Sequence, residues 1–283
     1  MIDLTARLRR GVLERPGMST DTPARVAVSS CLAGERVRWD GGHRRDPFVA
    51  DLLARLFERV PVCPEAELGL GTPRPPVDLV RVGPSLRMVG DDAIDHAQAM
   101  ADFAARRLDA ILPVDGWVLK SGSPSCGLAG VPVRHPDGAI TRDGRGLFAA
   151  ALCARAPLLP IAEESRLSDP GARASFLERV LAHRRLRGLF DRRWQADDVA
   201  RFHAGEERLL LVHDRAGCDA LGELVARRAD LPQADLATRY RAGFLAALER
   251  PSGSPAVVLD LLALQLQERI SARDLIDRLA NPA

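Results

Sequence analysis

The sequence predicts an α/β fold, with an open, mostly parallel sheet and flanking helices, followed by a smaller all-α domain. Two patterns carry this. From Arg25 to about Pro160, short apolar runs alternate with glycine-rich loops and amphipathic segments. After Pro170 strand signals vanish and a 3.6-residue apolar periodicity takes over. The length of 283 residues suits one large or two modest domains.

Taken in order, Arg25-Val-Ala-Val-Ser-Ser30 is a β-branched run that ends in a loop holding Gly34, Gly41 and Gly42. Pro47 to Glu58 reads as a helix, because Phe48, Leu52, Leu53, Leu56 and Phe57 share one face. Val60-Pro-Val62 is the next strand, stopped by Cys63-Pro64. Gly69 to Pro76 is too rich in glycine and proline for regular structure. Val77 to Val82 reads as an edge strand, followed by a turn and Leu86-Arg-Met-Val89. Asp91 to Leu108 is a helix, and Gly116 to Lys120 is a strand feeding the loop Ser121 to Gly127. Leu147 to Arg155 is a small-residue helix, and Leu158 to Ala162 a last strand. Helices follow over Ala172–Trp194, Ala196–His213, Ala216–Arg228, Ala234–Leu248, Ala256–Arg269 and Ala272–Leu279, with Val199, Phe202, Leu209 and Val212 marking one stripe. The expected division is a tail over 1–24, an α/β domain over 25–165, a basic connecting helix over 166–195 and a helical domain over 196–283.

Composition excludes several classes. With 46% apolar and 28% charged residues the chain is an ordinary globular one. It contains no apolar run near the roughly 20 residues of a membrane helix, so no membrane partner is expected. Met1 to Gly17 holds four arginines and no signal-peptide apolar block, so secretion is not expected. Five cysteines, an odd number without a close pair, argue against a disulfide framework and for a reduced, cytoplasmic setting.

The net charge of +2 conceals a local bias. Residues 171–194 carry seven arginines against Glu178 and Asp191. A solvated helix face is the ordinary meaning of such a run; Arg184, Arg185 and Arg187 are its candidate phosphate contacts. Lys120 is the single lysine among 40 basic residues, and it lies beside a candidate site.

Cys31, Cys63 and Cys126 each follow the end of a predicted strand. The carboxyl ends of parallel strands share one edge, where ligands bind, so thiols far apart in sequence can converge there. Cys153 and Cys218 fall inside predicted helices and read as packed cysteines. Three converging thiols fit an iron–sulfur cluster with one iron lacking a protein ligand, or a zinc site, while three unrelated buried cysteines remain the bland alternative. Glu65, two residues from Cys63, is placed to act as a general base, and Ser121 to Ser125 supply hydroxyls and amides before Cys126.

Four motifs sharpen this. Ser30-Cys-Leu-Ala-Gly-Glu35, Trp39-Asp-Gly-Gly-His43, Val62-Cys-Pro-Glu65 and Leu119-Lys-Ser-Gly-Ser-Pro-Ser-Cys-Gly127 resemble, in order, the signatures of the thiouracil desulfurase family over roughly Arg25 to Ile161. The resemblance implies a 4Fe-4S cluster on Cys31, Cys63 and Cys126, with the substrate sulfur taken by the open iron. It implies Glu65 and Ser123 as catalytic partners, with Ser30, Trp39, His43, Lys120 and Ser125 expected at the substrate. Trp39 replaces a frequent tyrosine, a change that stacking on a base tolerates. The helical half, through Arg201-Phe-His203, Leu209 to His213, Leu221 to Val225 and Ala237 to Arg241, resembles a domain of unknown function often fused to these desulfurases. Such fusions imply 4-thiouridine within tRNA as the substrate, converted to uridine with release of sulfide. A free thiouracil, or a metal-containing RNA module without catalysis, are the alternatives. Glu206 or Glu207 stands where the resemblance implies a basic residue, and the asparagine- and histidine-rich helix it implies is expected to be absent or degraded, giving a shortened helical domain.

Overall fold

The computed structural model describes residues 23–282, so nearly all of the expected tail over 1–24 lies outside the described residues. The chain divides into two compact units at Asp169 and Pro170. Among the described residues, no helix is long and apolar enough to cross a membrane.

In the α/β unit, β1 (Arg25–Ser29) is a buried strand that leads through a 3-10 turn over Ser30–Ala33. The first helix, α1, is π-helical over Phe48–Leu53 and α-helical over Ala54–Leu56. Next come β2 (Glu58–Val62), the single turn α2 (Pro64–Glu67), and the hairpin of β3 (Val77–Val82) and β4 (Ser85–Gly90). The unit continues with α3 (Ala97–Ile111), β5 (Gly116–Leu119), β6 (Val131–Arg134), β7 (Ile140–Gly144), α4 (Leu147–Arg155) and β8 (Ile161–Glu163).

These strands form two sheets. The first is wholly parallel in the order β2-β1-β5-β8, and the second is mixed, in the order β4-β3-β6-β7. The sequence reading missed β6 and β7. Pro132 sits inside β6, where it cannot donate to a ladder, and a register shift between Val131 and Val133 accommodates it. Four of the five residues of β7 are exposed, so no apolar pattern announces it. The helix α3 starts at Ala97 rather than Asp91 because the acidic residues before it build turns. Asp92 Oδ1 accepts from the Ile94 amide (3.0 Å) and Asp95 Oδ1 from the Ala97 amide (2.9 Å). One core joins the sheets, with Trp117 on β5 packed 5.6 Å from Phe148 of α4, and Phe103 of α3 6.1 Å from the same ring.

In the first sheet, pairings Ser29 with Val62 and Leu119 with Glu163 place the carboxyl ends of neighbouring strands level with one another. This register brings the ends of β1, β2, β5 and β8 to one edge.

The helical unit comprises α5 (Pro170–Phe190), α6 (Ala196–His213), α7 (Arg215–Ala226), α8 (Gln233–Glu249), α9 (Pro255–Leu266) and α10 (Ala272–Ala280). Phe202, Tyr240 and Phe244 form its aromatic centre, with Phe202 5.4 Å from Phe244. The segment expected as a connecting helix is instead an integral element: Ala182, Leu186, Leu189 and Phe190 of α5 belong to this core. It ends at Phe190, and Trp194 folds back edge-on against that ring at 5.0 Å.

Candidate active site

Three loops at the shared edge enclose a cavity of about 300 Å³, and Cys31, Cys63 and Cys126 all line it. Each arrives by a different local device. Cys31 sits in the 3-10 turn after β1, which Gly34 terminates at a φ of +99°, a conformation favouring glycine. Cys63 immediately precedes α2; its amide is capped by Glu67 Oε1 (2.9 Å), and Pro64 starts the turn. Cys126 is held by the first turn of α4, whose Leu147 and Ala149 amides donate to the Pro124 and Ser125 carbonyls at 3.0 Å each. Gly146 permits that contact. A Cβ there would lie 2.4 Å from both the carbonyl carbon and oxygen of Ser125.

All five cysteines are free, and only these three share the cavity. Burial pushes the Cys31 thiol up to about 11, with Cys63 adding to the rise and Lys120 and Arg38 opposing it. Cys126 is driven up further by burial, and Glu65, Cys63 and Cys31 contribute in the same direction. Burial also raises Cys63, against the amides of Ala66 and Glu65 and the charge of Arg74. Two buried thiols and the half-buried Cys63, all raised by burial and with Cys63 opposing the ionisation of the other two, form a donor set that a positive metal core would stabilise as thiolates. They therefore fit an iron–sulfur cluster. Among the described residues, no three His, Cys, Asp or Glu side chains are grouped to hold a single metal ion, so the zinc alternative gains no support. A cluster does not need that grouping, since each thiolate binds its own iron.

Glu65 lies beside the thiols with both carboxylate oxygens bonded. Arg74 Nη2 and Nε donate to Oε2 at 2.6 and 3.3 Å, and the Ser125 hydroxyl donates to Oε1. Ser123 lines the cavity, and its Oγ accepts from the Ser125 and Cys126 amides at 3.3 and 3.1 Å. Both lone pairs of that hydroxyl are thereby engaged, and its proton remains to be donated. Lys120 Nζ donates to the Ser121 carbonyl (2.9 Å) and to Glu164 Oε1. Glu164 Oε2 accepts from the Ser121 amide at 2.7 Å, so one carboxylate fixes both Lys120 and the start of the serine loop.

Of the expected substrate contacts, Ser30, Trp39 and Lys120 line the cavity, with Trp39 45% exposed at its rim. Ser125 is fully buried behind it, turned to Glu65. His43 lies outside on an exposed turn, where its Nδ1 accepts from the Arg45 amide (3.2 Å). Arg185 also departs from expectation. It is buried on α5 and forms a two-pronged ion pair with Glu206, Nε to Oε1 at 2.7 Å and Nη2 to Oε2 at 2.8 Å, so its side chain is committed to the fold rather than to phosphate. Glu206, read as a lost basic position, is that partner. Arg184 and Arg187 are half-buried on the same helix, Arg187 being 3.8 Å from Asp191. His203 and His213 are structural, bonded to the Tyr240 hydroxyl (3.2 Å) and the Arg250 carbonyl (2.7 Å).

Sequence reasoning passed over Arg74 and Glu164. Glu164 directly follows β8, so the logic that found the cysteines at strand ends applied to it equally. Arg74 had a weaker signal, an arginine fixed between prolines in the loop after the Cys-Pro-Glu motif.

Comparison with known proteins adds three findings. Residues 26–164 match the 2-thiouracil desulfurase family. A curated relative, the uncharacterized protein YbbK of Bacillus subtilis (strain 168), is 28% identical over 110 residues, covering 36% of this chain and 72% of its own length. A solved structure, the 4Fe-4S-dependent thiouracil desulfidase TudS, is 29% identical with a TM-score of 0.41, covering 51% of this chain and 93% of that one.

Proposed function

The α/β unit of this chain belongs to the 2-thiouracil desulfurase family, and from that premise we propose that the protein is an iron–sulfur-dependent desulfidase of thiolated pyrimidines. The observation that carries the reading is one cavity walled by three free cysteines with Glu65 and Ser123 beside them. Cys31, Cys63 and Cys126 would hold a 4Fe-4S cluster. Held by three protein ligands, such a cluster would keep one iron open and would supply a Lewis acid for the substrate sulfur.

The chain's own residues do the rest. Trp39 at the rim offers a face for the pyrimidine ring to stack on. Glu65 accepts a proton as the oxygen of water bonds to the thiocarbonyl carbon. Ser123 donates its hydroxyl proton as a hydrogen bond to the polar edge of the ring, where charge builds. As the water oxygen bonds, the π pair of the thiocarbonyl moves onto sulfur. The hydroxyl of the adduct then gives its proton to sulfur, and its O–H electron pair closes the carbonyl. The carbon–sulfur bond breaks with its pair on sulfur, which departs as hydrosulfide while Glu65 returns the other proton to solvent. A carbonyl base remains, and no electrons are gained or lost overall.

The preferred substrate on this reading is 4-thiouridine within tRNA, with the helical unit engaging the RNA through a basic face that includes Arg184 and Arg187. With Arg185 committed to Glu206, that face is narrower than the sequence suggests. The test is anaerobic turnover of thiolated tRNA beside free 4-thiouracil and 2-thiouracil, with sulfide and product base both measured. Faster release from tRNA, reduced when Arg184 and Arg187 are neutralised together, is the expected result. Equal or faster turnover of the free bases would make this a desulfurase of free thiopyrimidines. Binding without sulfide release would remove the catalytic reading.

A further inference from the structure

We propose that Arg74 is a positioning residue for Glu65, fixing which carboxylate oxygen takes the proton. The proposal deepens, and rests on, the reading of Glu65 as the base. Arg74 is 9% exposed, and its donors are split between two tasks. Nη1 tethers loops, donating to the Val37 and Gly71 carbonyls at 3.0 and 2.8 Å, while the Arg74 amide donates to the Trp39 carbonyl at 2.9 Å. Nε and Nη2 instead converge on one oxygen, Glu65 Oε2, at 3.3 and 2.6 Å.

A carboxylate offers about four lone-pair sites. The Arg74 fork fills the two on Oε2, and the Ser125 hydroxyl fills one on Oε1. One lone pair on Oε1 remains, and that is the site we assign to the incoming proton. The guanidinium is anchored at its far end to the Val37 and Gly71 carbonyls, so it ties the carboxylate to the backbone of two loops rather than following it.

The experiment compares Arg74→Lys, Arg74→Ala and Glu65→Gln with the wild type, all loaded anaerobically and matched for iron content. A base displaced by about 1 Å costs on the order of 100-fold in rate, so Arg74→Ala should lose about that in kcat with KM little changed. Arg74→Lys should recover only part of it, because a point ammonium cannot fork onto Oε2 and also reach two carbonyls. Guanidinium ion added to Arg74→Ala should restore turnover, but should leave Glu65→Gln inactive. If Arg74→Ala fails to load iron, the kcat and KM of loaded Arg74→Lys decide the matter. Loaded Arg74 variants with wild-type kcat beside an inactive Glu65→Gln, or with a raised KM alone, would overturn the positioning role and spare the base. Full turnover by Glu65→Gln would overturn the base itself.

Discussion

Substituting Gly146 by alanine tests how the third cysteine is held. The new Cβ would sit 2.4 Å from the Ser125 carbonyl carbon and oxygen and 2.8 Å from the Cys126 amide nitrogen. Carbon atoms rest about 3.5 Å apart, so Ser125 and Cys126 must retreat by about 1 Å. They are not free to do so, since the Gly146, Leu147 and Ala149 amides clamp the Gly127, Pro124 and Ser125 carbonyls at 2.8, 3.0 and 3.0 Å. Overpacking of this kind costs about 1–3 kcal/mol, which lowers the melting temperature of a domain this size by about 2–12 °C. The shift also moves one ligand of the proposed cluster and the Ser125 bond to Glu65, so iron content after anaerobic reconstitution should drop with the melting temperature. Gly222→Ala in α7 is the control: its nearest neighbour would be His203 Nε2 at 3.6 Å, so it should be tolerated. A Gly146→Ala protein with wild-type melting and iron content would refute the packing argument.

Other perturbations separate folding from chemistry. Arg185→Ala removes the guanidinium fork from the buried Glu206 carboxylate and should destabilise the helical unit by about 3–5 kcal/mol in urea unfolding. Unchanged stability with weakened RNA binding would return Arg185 to a phosphate role. Burial lowers the affinity of His203 for its proton below that of the unfolded chain, so stability is full above the ordinary value of 6.5 and declines as pH falls below it. His203→Gln should flatten that decline, and an identical pH profile would contradict it. Because burial holds Cys31 protonated up to about 11, loading must expel protons. Iron uptake by the apoprotein should therefore be greater at pH 9 than at pH 7, and the reverse order would count against the cysteine site.

Much of this was legible in the sequence, and the failures share causes. Short apolar runs located β1, β2 and β5, and their parallel register alone implies that Cys31 and Cys63 emerge at one edge. The second sheet was half hidden because Pro132 and the exposed β7 carry no strand pattern. Within the site, motif order located Glu65 and both serines but not the partition between them. Ser125 bonds Glu65, and the Ser123 hydroxyl oxygen takes the Ser125 and Cys126 amides, through the way the loop after β5 folds. The arginine run read as a charged surface because sequence periodicity does not reveal that Glu206, 21 residues on, meets Arg185 in the interior.

The most direct measurement is the iron and sulfide content of anaerobically reconstituted cysteine variants, each substituted singly by alanine. Wild type, Cys153→Ala and Cys218→Ala should each bind about four irons and four sulfides per chain, and Cys31→Ala, Cys63→Ala and Cys126→Ala should not. Equal loading across all five variants would mean that the cavity thiols do not hold a cluster.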